Sequence, residues 1–230
     1  MKIAVIIPAH NEQGSIDKVI NEIPNIVSEI IVVNNNSSDN TAAVAQKAGA
    51  TVLFEPNAGY GYACLKGIEH LNQQSTKVDI VVFLDGDYSD YPEELTQIVA
   101  PIIERNVDFV IGARKKELRQ AGSMTPQQIF GNWLATNLMR LLYQSKFSDL
   151  GPFRAIKYQK LQQLNMTDKT YGWTVEMQLK ALRQKLTYEE VPLRYKKRIG
   201  TSKISGTIKG TVMAGIKIIG WIVKYTAQKK

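Results

Sequence analysis

Two aspartates, Asp85 and Asp87, are the residues of this chain whose type and spacing best suit chemistry. One glycine separates them, and the apolar run Ile80–Leu84 precedes them, so both carboxylates fall just beyond a predicted buried strand. Carboxylates this close repel each other unless water or a cation compensates them. Mg²⁺ and Mn²⁺ prefer such oxygen ligands, and Mg²⁺ commonly combines one or two carboxylates with substrate phosphates. The pair therefore predicts a metal site that would neutralise a departing diphosphate. The alternative is an acidic turn ahead of a helix near Pro92.

Polar segments also follow two other runs rich in Val and Ile. Residues 8–12 read PAHNE, and residues 34–39 read NNNSSD. Each has a simple structural explanation, because an acidic residue such as Glu12 or Asp39 favours the N-terminus of a helix. Either segment alone is compatible with capping as well as with ligand binding.

A glycine turn is a third candidate. Gly59 and Gly61 flank Tyr60, with Gly67 further on, in a pattern that resembles a phosphate-binding turn at a helix N-terminus. The turn follows the third predicted strand instead of the first, so the dinucleotide-binding fingerprint is not met. The glycines alone do not identify a ligand.

The elements that must position these residues follow from hydrophobic periodicity between residues 1 and 112. Strands are predicted at Ile3–Ile7, Glu29–Val33, Thr51–Phe54, Ile80–Leu84 and Phe109–Ile111. Helices are predicted near Ser15–Ile23, Thr41–Ala48, Ala63–Leu71 and Glu93–Arg105. Strands that are apolar on both faces and alternate with helices predict an α/β fold with a mostly parallel sheet. Ligands bind beyond the carboxyl ends of such strands, which is where the polar segments fall.

The second half of the chain is less regular. Residues 113–125 are polar, carry four basic side chains and predict a loop, whereas Pro126–Tyr143 and Val175–Lys185 have helical patterns. The sequence shows no internal repeat and no low-complexity tract. We therefore predict one domain over residues 1–206, followed by a helix and tail over residues 207–230.

Composition excludes several classes of protein. The chain has 230 residues, of which 44% are hydrophobic, enough to fill a core. Its single cysteine, Cys64, excludes a disulfide framework and a cysteine-based zinc cluster, and two histidines, His10 and His70, argue against an all-histidine metal site. The N-terminal apolar run is too short for a signal peptide, so we expect a cytoplasmic protein.

The net charge of +8 is concentrated near the C-terminus. Residues 183–230 contain twelve Lys and Arg against Glu189 and Glu190, whereas residues 1–182 contain 17 basic and 19 acidic side chains. This asymmetry predicts an anionic partner for the tail: a phosphate, a lipid headgroup or a nucleic acid. Few aromatic residues lie among the basic ones, so stacking platforms are scarce and we expect no nucleic-acid partner.

The segment Gly210–Tyr225 has apolar residues at helical spacing, interrupted by Lys217 and Lys224. Its apolar stretch is too short to span a bilayer, and Lys217 lies at its middle. We predict an amphipathic helix in the plane of a membrane surface. A helix packed on the sheet or on a partner subunit is the alternative.

The motifs occur in an order that resembles the nucleotide-sugar half of the family 2 glycosyltransferases. The segments that carry this resemblance are PAHNE (8–12), VVNNNSSDNT (32–41), NAGYGYACLKG (57–67), FLDGDYSDYPEEL (83–95) and IGAR (111–114). Three later segments are similar to the branch that transfers sugars to dolichyl or polyprenyl phosphate: SDLGPFRAI (148–156), YGWTVEMQLKA (171–181) and EVPLRYKKRIGTSKISGT (190–207). Together the motifs span about residues 3–210.

This resemblance implies a GT-A fold, a Rossmann-like, mostly parallel sheet flanked by helices. It also implies a UDP- or GDP-sugar donor, Mg²⁺ or Mn²⁺ as cofactor, and inversion at the anomeric carbon. Residues 1–112 would form the nucleotide-sugar-binding half and residues 113–206 the acceptor half. The implied acceptor is polyprenyl or dolichyl phosphate, so the protein would act peripherally at the cytoplasmic face of a membrane. The sequence is also compatible with a homo-oligomer.

Family positions carried over to this chain give a set of expected site residues. Donor binding is expected from Pro8, Ala9, Asn11, Glu12, Asn34, Asn36, Asp39, Gly59, Asp85 and Gly86. The expected metal ligands are Asp85 and Asp87, and the expected catalytic residues are Asp87, Asp149 and Arg114. Contacts with the acceptor or the diphosphate are expected from Arg154, Glu176, Arg198 and Lys203.

Five positions depart from the family pattern, and one of them is His10, which replaces a commonly aromatic residue. Asn34 stands where an aspartate usually contacts the base or ribose, which leaves the nucleotide open. Ser89 stands where close relatives have a glutamine ligand, which leaves the third metal ligand open. Tyr60 replaces a frequent lysine, and Gln128 lies near the position of an acceptor-binding arginine.

Asp149 leaves the chemistry of the acceptor open. A phosphate acceptor is ionised and needs no general base, whereas a sugar hydroxyl does, and Asp149 could supply it. Asp149 could instead orient Arg154 or cap a turn, and Glu176 could be a solvated helix residue. One alternative is therefore a soluble inverting transferase with a hydroxyl acceptor. Another is a non-catalytic protein of the same fold whose basic tail binds anionic lipid or nucleic acid.

Overall fold

Seven strands form one sheet in the residues that the computed structural model describes, which are 1–200, 215 and 219–226. The strands are β1 (Ile3–Ala9), β2 (Glu29–Asn34), β3 (Thr51–Phe54), β4 (Ile80–Phe83), β5 (Phe109–Ala113), β6 (Arg154–Lys157) and β7 (Tyr188–Pro192). Their order is β3-β2-β1-β4-β6-β5-β7, and β6 runs antiparallel to both of its neighbours. The predicted mostly parallel α/β sheet is confirmed.

Helices cover both faces of this sheet. They are α1 (Ile16–Asn21), α2 (Thr41–Lys47), α3 (Tyr60–Gln73), α4 (Leu95–Arg105), α5 (Pro126–Tyr143), α6 (Tyr158–Leu164) and α7 (Trp173–Arg183). In β1, Val5 and Ile7 belong to the apolar core that contains α1 and α4. Ala4 and Ile6 belong to the core that contains α3, α6 and α7. Burial on both faces explains why the strand reads as a continuous apolar run.

The parallel register brings the polar segments together. On one side of β1, Ala9 lies opposite Asn34 of β2, and on the other side Ile6 lies opposite Phe83 of β4. Because parallel strands end at the same edge of a sheet, the residues that follow these three strands meet there.

A capping box fixes the start of α5. Thr125 Oγ1 accepts the N–H of Gln128 at 3.2 Å, and Gln128 Oε1 accepts the N–H of Thr125 at 2.8 Å. Gln128 therefore has a structural role at the start of α5. The predicted helix Pro126–Tyr143 is confirmed.

The predicted helix over residues 207–230 falls largely outside the described residues. Residues 219–226 are helical, and Ile222 and Tyr225 belong to one apolar cluster with Met139 of α5 and Leu179 of α7. In the described ranges, no helix combines the length and the apolar character needed to cross a membrane.

Candidate active site

A cleft of about 300 Å³ opens at the carboxyl ends of β1 and β4. Its wall comes from the segments after these strands, the start of α3, the loop before α7 and the segment after β7. The lining residues are Pro8, Ala9, His10, Glu12, Asn35, Ala58, Gly59, Tyr60, Asp85, Gly86, Asp87, Thr170, Tyr171 and Arg198. The cleft thus lies where ligands of parallel α/β sheets bind.

Most of the residues expected to bind the donor line this cleft. They are Pro8, Ala9, Glu12, Gly59, Asp85 and Gly86. Four expected donor residues lie outside its wall: Asn11, Asn34, Asn36 and Asp39. At least two of these shape the surrounding loops, since Asn34 Oδ1 accepts the N–H of Ser37 at 3.0 Å and Asn11 Oδ1 accepts the N–H of Ser38 at 2.8 Å.

Asp39 connects the loop after β2 to the loop after β1. Its carboxylate accepts the N–H groups of Thr41 at 3.0 Å and Gln13 at 3.2 Å. Burial alone would raise the pKa of Asp39, but the hydrogen bond from the Thr41 hydroxyl and those from the N–H groups outweigh it and lower the pKa. Asp39 therefore positions the Glu12 side of the cleft without lining it.

Asn35 lines the cleft although the sequence analysis did not select it. Its amide donates to the carbonyl oxygens of Glu55 at 3.1 Å and Asn57 at 2.6 Å, and its Oδ1 accepts the N–H of Gly59 at 2.8 Å. Asn35 thereby ties the glycine turn to the end of β2. Because residues 34–36 are all asparagine, the sequence does not indicate which of them is the first residue beyond β2.

Asp85, the first of the two predicted metal ligands, has an unsatisfied oxygen in the cleft. Its Oδ1 is buried and has no hydrogen-bond partner among the described residues. Burial and then the charge of Asp87 raise the pKa of Asp85 to about 7, against the opposing effect of Arg198. A buried carboxylate oxygen without a donor is a position that a cation would satisfy.

Asp87, the second predicted ligand, is held by Ser89 and Arg198. Its Oδ1 accepts the N–H and the hydroxyl of Ser89 at 2.9 and 2.6 Å, and its Oδ2 lies 3.0 Å from the Arg198 guanidinium. No group of three or more His, Cys, Asp or Glu side chains within the described ranges could hold a metal ion. Two carboxylates nevertheless fit Mg²⁺ or Mn²⁺ when phosphate oxygens and water complete the coordination.

Arg198 connects the two acidic sides of the cleft. Its guanidinium lies 3.0 Å from Asp87 and 3.4 Å from Glu12, across 186 positions of sequence. Its Nε is buried and has no acceptor among the described residues. A guanidinium with an unused donor is suited to bind a phosphate oxygen.

Other cations of the same basic segment have different partners. Arg194 pairs with Glu93 at 3.0 Å, and Lys196 Nζ lies 3.1 Å from the centroid of the Tyr88 ring. Lys203, expected at the diphosphate, lies outside the described residues. The basic segment therefore contributes Arg198 to the cleft and uses Arg194 and Lys196 to hold itself on the fold.

A comparison with known families identifies the chain. Residues 4–164 match the sequence profile of the family described as glycosyl transferase family 2. The chain belongs to this family. The predicted family resemblance is confirmed, and so is the prediction that this protein is a glycosyltransferase.

Two curated relatives align with nearly the whole glycosyltransferase. An uncharacterised glycosyltransferase of Mycobacterium tuberculosis is 30% identical over 214 residues, which are 92% of this chain and 94% of the relative. The undecaprenyl-phosphate mannosyltransferase of Micrococcus luteus is 25% identical over 229 residues, with 94% and 93% of the two chains covered.

A solved structure shares the fold. Glucosyl-3-phosphoglycerate synthase of M. tuberculosis, crystallised with Mn²⁺, UDP and glucosyl-3-phosphoglycerate, matches with a TM-score of 0.77 and 20% identity. The match covers 98% of this chain and 80% of that chain. The predicted GT-A fold of the glycosyltransferase is thereby confirmed.

Arg114 and Asp149, both expected to be catalytic, form a buried ion pair outside the cleft wall. The guanidinium donates to both carboxylate oxygens at 2.9 and 2.6 Å, and the Arg114 N–H donates at 2.7 Å. Burial would raise the pKa of Asp149, but Arg114 outweighs it and lowers the pKa. Arg114 also opposes the rise in the pKa of Asp85, so its charge acts on the acidic pair.

The structure does not bring Arg154 to the cleft. Arg154 is fully buried at the start of β6, and burial lowers its pKa to about 10. Its guanidinium donates to the carbonyl oxygens of Leu150, Gly151 and Thr174 at 3.0–3.1 Å. Arg154 therefore stabilises the turn after Asp149 and does not line the cleft.

Glu176, the other expected acceptor residue, is also fully buried. Its carboxylate accepts the N–H groups of Thr167 at 3.0 Å and Asp168 at 2.7 Å, and Lys180 pairs with it at 2.8 Å. Glu176 thus ties residues 165–172, here called the 165–172 loop, to α7.

The 165–172 loop carries Thr170 to the cleft wall. Asp168 organises this loop: its Oδ1 accepts the N–H of Thr170 at 2.7 Å, and its Oδ2 accepts the indole N–H of Trp221 at 2.6 Å. The helical residues 219–226 therefore support the cleft. No local sequence pattern predicts this contact, because its partners lie 53 positions apart.

Gly61→Ala should displace the 165–172 loop and weaken nucleotide binding. A Cβ at Gly61 would overlap the carbonyl oxygen of Asp168, and such overpacking costs about 1–3 kcal/mol. Urea unfolding and nucleotide titration measure the two effects.

Gly131→Ala in α5 is the matched control, since nothing lies within 4 Å of its Cβ. It should stabilise by about 0.5–1 kcal/mol and leave affinity unchanged. Unchanged affinity in Gly61→Ala would show that the loop does not support the donor site.

Asp90 is a site residue that the sequence analysis missed. It is buried, and its Oδ2 has no hydrogen-bond partner among the described residues. Burial and then the charges of Asp85 and Asp87 raise the pKa of Asp90 well above its usual range. This shift in pKa disfavours a third negative charge beside Asp85 and Asp87. The signal was its place as the third aspartate within residues 85–90.

Proposed function

We propose that this glycosyltransferase moves one sugar from a UDP- or GDP-sugar to a polyprenyl phosphate, with inversion, using Mg²⁺ or Mn²⁺ at Asp85 and Asp87. The observation that carries the proposal is the convergence of these two carboxylates with the Arg198 guanidinium in one cleft. The Mn²⁺ and UDP in the solved neighbour support the donor side. The relative named undecaprenyl-phosphate mannosyltransferase supports the acceptor.

The two carboxylates and the arginines would act on different parts of the donor diphosphate. A metal ion at Asp85 and Asp87 would neutralise charge on the departing diphosphate. Arg198 would bind diphosphate oxygens from the Glu12 side of the cleft, in place of one of its present carboxylate partners. Arg114, held in one orientation by Asp149, adds a fixed positive potential that needs no reorganisation during transfer.

The environment of Asp149 favours a phosphate acceptor over a hydroxyl acceptor. An ionised phosphate oxygen attacks without a base, whereas a hydroxyl must lose its proton to one. Asp149 accepts three hydrogen bonds from Arg114 and has a lowered pKa, and both features weaken it as a base. Action at the cytoplasmic face of a membrane would follow from a polyprenyl acceptor and stays a prediction.

Labelled UDP- and GDP-sugars, incubated with the protein, metal and polyprenyl phosphate, should give label in the organic phase only when Mn²⁺ or Mg²⁺ is present. Asp149→Asn should keep most of this transfer, because a phosphate acceptor needs no base. Its unfolding midpoint is measured in parallel, since the variant loses a buried ion pair. Label in a water-soluble product that disappears in a folded Asp149→Asn would instead identify a hydroxyl acceptor.

A further inference from the structure

One side of α5 exposes large apolar side chains. Phe130, Trp133 and Leu141 are 61%, 57% and 78% exposed, and the rings of Phe130 and Trp133 lie 5.9 Å apart. Spacings of three and eight residues place these side chains along one side of the helix. Neighbouring Ile129 is 43% exposed. Large apolar side chains exposed together on one side of a helix are typical of an interaction site.

The helical residues 219–226 carry further exposed apolar side chains. Ile222 and Tyr225 cluster with Met139 on the buried side of α5, whereas Ile219 and Val223 are 40% and 59% exposed. Two neighbouring helices thus keep apolar side chains on the outside. We define the apolar face as Ile129, Phe130, Trp133, Leu141, Ile219 and Val223.

Cations lie on the elements that carry the apolar face. Arg140 is exposed on α5. On residues 219–226, Lys224 Nζ lies 4.5 Å from the centroid of the Trp221 ring, and the Arg183 guanidinium of α7 lies 5.0 Å from that of Tyr225. A second copy docked through the same face would bring these cations together, whereas anionic headgroups would neutralise them.

We propose that the apolar face docks this glycosyltransferase on an anionic membrane, with Phe130 and Trp133 inserted at the boundary between headgroups and acyl chains. Aromatic side chains next to a cationic rim are the combination that interfacial binding uses. The inference rests on the proposed lipid acceptor. It goes beyond that acceptor by assigning membrane contact to α5 in addition to the C-terminal helix.

Docking through α5 would place Asp149 and Arg114 close to the membrane, because α5 is hydrogen-bonded to the segment around Asp149. Asn132 of α5 donates to the carbonyl oxygen of Ser148 at 3.2 Å and accepts the N–H of Leu150 at 2.8 Å. Asp149 lies between these two contacts and pairs with Arg114. Asn132 therefore connects the proposed membrane contact with the pair of Arg114 and Asp149.

The test is flotation of the full chain with phosphatidylcholine vesicles, with or without phosphatidylglycerol and always without polyprenyl phosphate. Wild type should float with the anionic vesicles and be released by high salt. Phe130→Ser/Trp133→Ser should bind on the order of tenfold more weakly, because two large apolar side chains no longer insert. Phe54→Ser changes a 58% exposed phenylalanine on β3, at the edge of the sheet, and should bind like wild type.

The proposal is wrong if wild type does not float with the vesicles, or if the double variant binds them as well as Phe54→Ser does. It is also wrong if light scattering shows a wild-type dimer that the double variant does not form, while both proteins bind vesicles equally. Transfer to polyprenyl phosphate dispersed in detergent separates this inference from the proposed function. The double variant should retain wild-type transfer in detergent if its defect is in docking alone. Absence of wild-type transfer in detergent would contradict the proposed function and leave the flotation result intact.

Discussion

Asp87→Asn should lower the rate of sugar transfer by about a thousandfold or more. The substitution removes one of the two carboxylates proposed to hold the metal and breaks the 3.0 Å ion pair with Arg198. Metal-dependent binding of UDP or GDP should weaken in parallel, because the remaining carboxylate of Asp85 holds the ion less tightly. Calorimetry with and without Mn²⁺ measures the binding, and the labelled transfer assay measures the rate.

Two further variants separate loss of the metal from loss of local structure. Ser89→Ala removes the 2.6 Å hydroxyl contact with Asp87 but keeps both carboxylates, so metal-dependent binding should survive. Asp79→Asn removes an exposed carboxylate immediately before β4, at the opposite end of the strand from Asp85, and should change neither measurement. Nucleotide binding by Asp87→Asn with wild-type metal dependence would show that the metal site lies elsewhere.

The sheet and the acidic pair were predictable because local patterns determine both. The five strands predicted in the first half all occur, with ends that differ by at most two residues. β1, β2 and β4 are short and rich in Val and Ile because helices cover both of their faces, as β1 shows with Val5 in one core and Ala4 in the other. Parallel connections then bring the strand ends to one edge, which placed Asp85 and Asp87 in the correct region before any side-chain contact was known.

The register at the end of β2 was not predictable from the sequence alone. Asn34 still pairs with Phe54 of β3, so Asn35 is the first residue beyond the strand and the one that reaches the cleft. Three identical side chains in succession give no local signal of where pairing stops. The extent of β3 decides it, and β3 lies in a different part of the sequence.

The burial of charged side chains also could not be predicted from the sequence. Arg154 was expected at the acceptor, but main-chain carbonyl groups satisfy it inside the fold. Arg198 reaches the cleft while Arg194, in the same basic run, pairs with Glu93. These outcomes depend on tertiary partners that are distant in sequence. The basic residues themselves do not indicate which of them will be buried, reach the cleft or pair elsewhere.

Glu176→Ala should lower the free energy of unfolding by about 3–5 kcal/mol. The substitution leaves Lys180 without its carboxylate partner. It also removes the acceptor of the Thr167 N–H and of the buried Asp168 N–H. Urea unfolding measures this loss. Since these contacts hold the 165–172 loop at the cleft, the KM for the donor should rise in protein that remains folded. Glu176→Gln keeps an acceptor oxygen and should lose less on both counts.

Glu69→Ala is the matched comparison for this effect. Glu69 pairs with Lys66 on the surface of α3 at 2.8 Å, the same distance as the buried pair between Glu176 and Lys180. Solvent screens the surface pair, so its loss should change stability little and leave the KM unchanged. If Glu176→Ala and Glu69→Ala cost the same, burial adds nothing to the Glu176 contacts. The 165–172 loop would then depend on Asp168 and Trp221 for its position.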